Sequence, residues 1–172
     1  MANILTVYFS LKGETITPSM KIVNLEKGHT AWVAEYVQNA VGGDLFEIET
    51  VKIYIEDHMK MIYEAQEEQK KGIRPELKGF PDSVDEYDTI FVGTPNWWNV
   101  LPMPVVGFLE HFDWSGKKII PIVTNEGSGA GKIADQIRKI CQGAEVTEAL
   151  SIRGSEAKAS ENKITSWAKS KI

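Results

Sequence analysis

The chain has 172 residues and a net charge of −5, from 19 basic and 24 acidic side chains. This length predicts one domain, residues 1–172, with a full hydrophobic core. The negative charge argues against nucleic-acid binding, because phosphate backbones require clustered cations. One cysteine excludes an intramolecular disulfide framework and a multi-cysteine metal site, and three widely spaced histidines argue against a histidine-based one.

The sequence also predicts a cytoplasmic protein that does not associate with a membrane. No apolar run approaches the ~18 residues that a membrane span needs. The start Met1-Ala2-Asn3 lacks the basic segment of a secretory signal.

Near-continuous apolar runs predict strands that are buried on both faces, as in a parallel sheet. The clearest runs are residues 4–9, 90–92 and 119–123. Pro121 removes one backbone donor from the third run. Weaker, alternating patterns predict two more strands at residues 45–49 and 146–152.

Helical periodicity fills the intervals between these strands. Residues 33–41 predict a helix with Thr30 as its N-cap and Gly42-Gly43 at its end. Four more helices are predicted at residues 59–71, 103–112, 133–141 and 155–172. This alternation predicts a three-layer, doubly wound α/β fold, since five strands are too few for a (β/α)₈ barrel. Ligands of such folds bind at the carboxyl ends of the strands, which selects three loops.

The first loop, residues 10–30, has the features of a phosphate site. Ser10 and Thr30 lie between a buried strand and a helix N-terminus, where backbone N–H groups favour an anion. The sequence Gly-x-Thr occurs twice, at residues 13–15 and 28–30. We favour the second copy because a helix follows it directly, and residues 13–27 then loop out. The simpler alternative is that Ser10 and Thr30 only cap and terminate secondary-structure elements.

The second loop, residues 93–102, contains adjacent tryptophans. Trp97 and Trp98 follow a strand and offer apolar faces for stacking on a planar ligand, while Asn96 and Asn99 supply amide groups. The alternative is that one indole packs on the following helix.

The third loop, residues 124–131, has three glycines in five positions, which let backbone N–H groups approach a ligand closely. Alternatively, it is a flexible surface loop. Three adjacent loops that hold one phosphate and one planar ring together describe a site for flavin mononucleotide (FMN).

The chain resembles the flavodoxin family, in particular its short-chain bacterial branch. The second and third loops carry this resemblance as Gly93-Thr94-Pro95-Asn96-Trp97-Trp98 and Thr124-Asn125-Glu126-Gly127-Ser128-Gly129. The resemblance also covers Gly43-Asp44-Leu45-Phe46-Glu47-Ile48, Arg74-Pro75-Glu76-Leu77 and Gly116-Lys117-Lys118-Ile119-Ile120-Pro121. Three departures stand out: residues 13–27 interrupt the family's phosphate loop, His29 replaces an asparagine, and Thr94 replaces a tyrosine.

The resemblance implies a flavodoxin-like five-stranded parallel sheet in the order 2-1-3-4-5 and one noncovalently bound FMN. Its phosphate would be held by Ser10, Lys12, Gly28, His29 and Thr30. One side of its ring would be lined by Thr94, Pro95, Asn96, Trp97, Trp98 and Asn99. The pyrimidine edge and the other side would be lined by Thr124, Asn125, Glu126, Gly127, Ser128 and Gly129.

The first functional hypothesis is an electron carrier that docks with redox partner proteins, a reductase and an electron acceptor, as a monomer or weak homodimer. Residues 44–88 hold thirteen acidic and six basic side chains, which suits docking with basic partners. Solubility alone is the simpler explanation of this bias. The second hypothesis is an FMN-dependent NAD(P)H oxidoreductase that acts on a quinone or similar acceptor, with residues 13–27 or 54–61 as a wall. The third is a module that has lost its flavin.

No catalytic nucleophile–base pair is evident. His29 is expected to pair with the phosphate, which would raise its pKa. His58 and His111 are expected to be surface or structural residues, and Cys141 a buried core thiol.

Overall fold

The computed structural model describes residues 2–172, in which eight strands and five α-helices follow one another. The strands are β1 (Ile4–Tyr8), β2 (Gly13–Ile16), β3 (Ile22–Leu25), β4 (Asp44–Glu47), β5 (Thr89–Pro95), β6 (Lys118–Asn125), β7 (Glu145–Val146) and β8 (Leu150–Arg153). The helices are α1 (His29–Val41), α2 (His58–Lys71), α3 (Met103–Glu110), α4 (Ile133–Ile140) and α5 (Glu161–Lys169).

Six of the strands form one parallel sheet in the order β4-β1-β5-β6, with β7 and β8 both pairing with β6. The predicted α/β fold is confirmed, and the order 2-1-3-4-5 holds with the fifth position shared by two short strands rather than by the single strand predicted at residues 146–152.

Pro121 explains why the fifth position is broken. The Thr147 N–H donates to Ile119 O, so the backbone of Ile119 faces the fifth position. Alternate residues of a parallel strand point their backbone groups to the same side, so the backbone of Pro121 also faces the fifth position. Because proline has no N–H, it cannot donate a hydrogen bond to a strand at that position. The chain leaves the ladder after β7 and returns at Leu150, which pairs with Ile122.

Helices cover both faces of the sheet. On one face α1 and α5 pack together over Val33, Val37, Phe91, Ile120 and Ile164, all of which are fully buried. On the other face α3 and α4 cover a larger core. Both faces of β1, β5 and β6 are thus shielded from water, which accounts for their near-continuous apolar runs.

The segment expected to loop out, residues 13–27, instead contains an antiparallel hairpin. Its strands β2 and β3 pair over Gly13–Ile16 and Ile22–Leu25. Pro18 and Ser19 lie in the turn, which the Met20 N–H closes on Thr17 O at 2.9 Å. Runs of β-branched residues on either side of Pro18-Ser19 are the local reason for this pairing.

Two predicted helix starts are wrong. Helix α1 begins two residues earlier than expected, with Gly28 as N-cap, and the Thr30 hydroxyl bonds Thr124 instead of capping the helix. The region predicted as one helix from residue 155 is a short 3-10 turn (Gly154–Glu156) followed by α5. Within residues 2–172, no helix combines the length and apolar character needed to cross a membrane.

Candidate functional site

Two adjoining cavities open at the carboxyl edge of the sheet, where the three loops were predicted to meet. The larger has a volume of about 570 Å³ and the smaller about 260 Å³. The residues that line both are Thr15, His29, Met61, Pro95, Trp97 and Thr124. The two cavities therefore adjoin along these residues.

The two halves of the first loop meet in the larger cavity although a hairpin separates them in sequence. A Cβ atom on Gly28 would lie 2.1 Å from Ser10 Oγ and 2.5 Å from Leu11 O, so only glycine fits at position 28. Ser10 Oγ accepts the Ala31 N–H at 3.1 Å. Lys12 is exposed and makes no ion pair with the described residues. The N-terminus of α1, one hydroxyl and one free ammonium therefore surround the same space, which suits an anion.

Hydroxyl and carboxylate contacts join the first loop to the third. The buried Thr30 and Thr124 hydroxyls lie 2.8 Å apart. His29 Nδ1 lies 3.6 Å from Glu126 Oε1, and Glu126 also accepts the Ser155 N–H at 2.8 Å. Burial lowers the pKa of His29, and the neighbouring Glu126 opposes this only in part. His29 is thus neutral near pH 7 in this environment.

The second loop makes a tight turn in which Trp97 and Val100 bond each other through both backbone groups. Trp98 and Asn99 occupy its centre with φ of 55° and 73°, the left-handed region that bulky residues rarely adopt. The Trp98 indole N–H donates to Ile62 O at 2.7 Å, which holds this side chain toward α2. Trp98 remains 44% exposed beside the smaller cavity.

Trp97 takes a different position from its neighbour. Its ring meets Phe9 and Tyr54 edge-on, with centroid separations of 5.3 and 5.4 Å. It also lines both cavities. Trp97 therefore packs on the core and borders the ligand space at once.

The third loop is held by side-chain hydrogen bonds. Asn125 Oδ1 accepts the N–H groups of Gly127 and Gly129 at 2.9 and 3.0 Å. The Asn96 amide nitrogen donates to Gly129 O at 2.9 Å and so ties the second loop to the third. These bonds fix the third loop to itself and to the second loop.

Carboxylates dominate the outer part of the larger cavity. The acidic residues of its lining are Glu14, Glu26, Glu35, Glu47, Glu49 and Glu56, and the basic ones are Lys12, Lys27 and Lys52. Lys27 pairs with Glu35, and Lys52 with Glu64 and Glu68, which leaves Lys12 as the free cation among these described residues. Burial and the nearby Glu47 raise the pKa of Tyr8 to about 12, so its hydroxyl stays protonated.

The family model for flavodoxin matches residues 22–171. The chain belongs to the flavodoxin family. A candidate flavoprotein from Bacteroides eggerthii is 26% identical, with a TM-score of 0.77 and coverage of 99% of this chain and 98% of that one. A second, from Bacteroides uniformis, is 27% identical, with a TM-score of 0.75 and 98% of each chain covered.

A flavoprotein from Lactobacillus acidophilus, solved in complex with FMN, is 17% identical, with a TM-score of 0.65 and coverage of 92% of this chain and 98% of that one. No curated protein matches the chain significantly.

In this flavodoxin-family chain, twelve of the residues predicted for the site border one or both cavities. They are Ser10, Lys12, Gly28, His29, Thr30, Pro95, Asn96, Trp97, Trp98, Thr124, Asn125 and Glu126. The other five border neither cavity, and they are Thr94, Asn99, Gly127, Ser128 and Gly129. Thr94 is fully buried, and its hydroxyl donates to Pro95 O.

The sequence prediction missed one wall of the flavodoxin-family site. Helix α2 contributes His58, Met61, Ile62 and Ala65 to the smaller cavity, and the hairpin contributes Ile16. His58, expected to be a surface or structural residue, is half-buried and borders this cavity. The available signal was the spacing of Met61, Ala65 and the buried Glu68 on one face of a helix that otherwise looks polar. Among residues 2–172, no cluster of metal-ligating side chains is present.

Proposed function

We propose that the protein binds FMN noncovalently across the two cavities and carries electrons between redox partner proteins. The observation that supports this most directly is that a phosphate-type locus at the N-terminus of α1 adjoins an aromatic cavity between the second and third loops. FMN has a phosphate at one end and a planar ring at the other. The phosphate suits the α1 N-terminus, and the ring suits the aromatic cavity.

The residues fit the group in three respects. Gly28 lies where any side chain would collide with Ser10, at the N-terminus of α1, and helix N-termini favour anions such as a phosphate. Lys12 adds the one free ammonium of the larger cavity's described lining. Asn96 Oδ1 is buried without a hydrogen-bond partner, as expected of an acceptor that serves a ligand.

When bound, FMN would supply the redox chemistry, and the protein would position and insulate it. Ser10, Lys12, Gly28 and Thr30 would hold the phosphate. Trp97 and Trp98, with Pro95, would shield the ring from water. Neutral His29 would contribute a hydrogen bond rather than a charge, unless the phosphate dianion draws a proton onto it.

The test of this proposal is a titration of the purified protein with FMN and with riboflavin, which lacks the phosphate. We expect FMN to bind at least tenfold more tightly, since it alone reaches the α1 locus. Ser10→Ala with Lys12→Ala should remove this preference and leave riboflavin binding unchanged. Equal affinity for both ligands in the unsubstituted protein would contradict the assignment of the phosphate locus.

A second candidate is an FMN-dependent NAD(P)H oxidoreductase that acts on a quinone or similar acceptor. The observation that favours it is the wall that the hairpin and α2 build beside the smaller cavity. Steady turnover of NADPH with a quinone would favour the oxidoreductase. Reduction in two separate one-electron steps, without turnover, would favour the carrier.

A further inference from the structure

Two unsatisfied polar atoms belong to residues that line the smaller cavity. Among residues 2–172, three buried side-chain polar atoms lack a hydrogen-bond partner, and they are Thr6 Oγ1, His58 Nδ1 and Asn96 Oδ1. His58 and Asn96 both border the smaller cavity, whereas Thr6 lies in the core. Buried polar groups are almost always hydrogen-bonded in folded proteins. Two unpaired polar atoms in residues at one cavity therefore point to a ligand that bonds with them.

His58 and Asn96 come from different walls of this cavity. Asn96 follows β5, whereas His58 is the first residue of α2. The Glu14 carboxylate of the hairpin accepts the His58 N–H at 3.1 Å and so joins the hairpin to the start of α2. We name this hairpin-and-helix surface, residues 14–16 and 58–65, the outer wall.

The lining of the smaller cavity selects a neutral, flat ligand group. None of its described lining residues is lysine or arginine, and Glu126 is its one carboxylate. Its apolar lining residues are Ile16, Met61, Ile62, Ala65, Pro95, Trp97 and Trp98. An anionic group would find no cation here, whereas a planar heterocycle would find apolar faces and hydrogen-bonding groups at its edge.

We propose that the outer wall is part of the ring-binding site and that His58 is a binding residue in it, which contacts the polar edge of the isoalloxazine. This inference rests on the proposed function, because it takes FMN as the ligand. Asn96 keeps its amide nitrogen on Gly129 O and offers Oδ1 to a ring N–H. A half-turn of the imidazole about χ2 exchanges Nδ1 with Cδ2, so His58 needs only a side-chain rotation to satisfy its nitrogen.

The test uses lumiflavin, which has the ring but neither ribityl chain nor phosphate, alongside FMN. His58→Leu keeps an apolar side chain in the wall but removes the hydrogen bond, and we expect both ligands to bind about tenfold more weakly. His58→Asn places an amide near the position of Nδ1 and should recover affinity to within about threefold of the unsubstituted protein. The matched control is His111→Leu, since His111 borders neither cavity and stacks on Phe80 at 3.8 Å.

A second variant tests the wall itself. Glu14→Ala removes the contact between the hairpin and α2 and should weaken lumiflavin binding without touching the second or third loop. Far-UV circular dichroism and thermal unfolding confirm that each variant folds.

The inference is overturned if His58→Leu binds lumiflavin as tightly as the unsubstituted protein, or if it loses FMN affinity alone. The absence of FMN binding to the unsubstituted protein would instead overturn the proposed function.

Discussion

Replacing Glu68 with alanine should destabilise the protein more than any exposed substitution on the same helix. Glu68 lies on α2 with its side chain 5% exposed, and it accepts the Tyr54 hydroxyl at 2.8 Å and pairs with Lys52. Burial and the Glu68 carboxylate raise the pKa of Tyr54, which therefore remains a donor throughout the usual pH range. The substitution leaves that donor buried without an acceptor.

The magnitude follows from the two partners of Glu68. A buried hydroxyl left unpaired costs about 1–3 kcal/mol. Lys52 loses less, since its side chain is 37% exposed and keeps Glu64, so this part is worth at most about 1 kcal/mol. The free energy of unfolding should fall by about 2–3 kcal/mol, which lowers Tm by about 5–10 °C for a chain of this size.

Urea and thermal denaturation measure this effect, with Glu67→Ala as the matched control. Glu67 is 55% exposed and pairs only with Lys70 and Lys71 on the surface, so its removal should cost less than about 0.5 kcal/mol. In a Tyr54→Phe background the cost of Glu68→Ala should shrink by about 1–2 kcal/mol. If Glu68→Ala matches Glu67→Ala, or if the double substitution is additive, the hydrogen bond is not what stabilises this region.

Three further outcomes follow from the same structure. Gly28→Ala should weaken FMN binding at least tenfold, since its Cβ would lie 2.1 Å from Ser10 Oγ. The control is Gly79→Ala, whose Cβ would meet nothing within 4 Å and which should bind FMN normally. Calorimetric titration with FMN measures the affinity of both variants. Without ligand, the free energy of unfolding should fall as pH drops below 6.5, because the unfolded chain protonates His29 more readily than the folded one does. This fall should be smaller in His29→Gln, and identical urea titrations of the two proteins at pH 7.5 and 5.5 would refute it. Burial raises the pKa of Cys141 to about 12, so about one thiol in ten thousand is ionised at pH 8, and Ellman's reagent should react only after urea is added.

The parallel sheet could be predicted because its strands are buried on both faces, and this burial leaves a local pattern. The apolar runs of β1, β5 and β6 are nearly continuous, and each is followed by a loop with distinctive residues. The position of the ligand site also followed from the order of strands and helices, since the carboxyl ends of adjacent parallel strands lie at the same edge of the sheet.

The outer wall could not be predicted in the same way, because its residues have no common local pattern. The hairpin strands are short, β2 is half-buried and β3 is largely exposed, and α2 is polar apart from a narrow stripe. A long-range hydrogen bond from the His58 N–H to the Glu14 carboxylate, 44 positions apart in sequence, joins them. The orientation of the Thr30 side chain likewise depends on a residue distant in sequence, since its hydroxyl bonds that of Thr124 on β6, which a local sequence pattern does not predict.

The contact between Ser10 and Gly28 has a consequence for how the chain can vary. The two ends of the intervening segment touch, so its length is nearly independent of the geometry at either end. Doubling the length of such a loop costs only about 0.6 kcal/mol. Residues 13–27 should therefore tolerate replacement or deletion. Joining Lys12 directly to Gly28 should preserve the sheet and the α1 N-terminus and remove the hairpin half of the outer wall. The phosphate locus at the α1 N-terminus and the outer wall can therefore vary independently of each other.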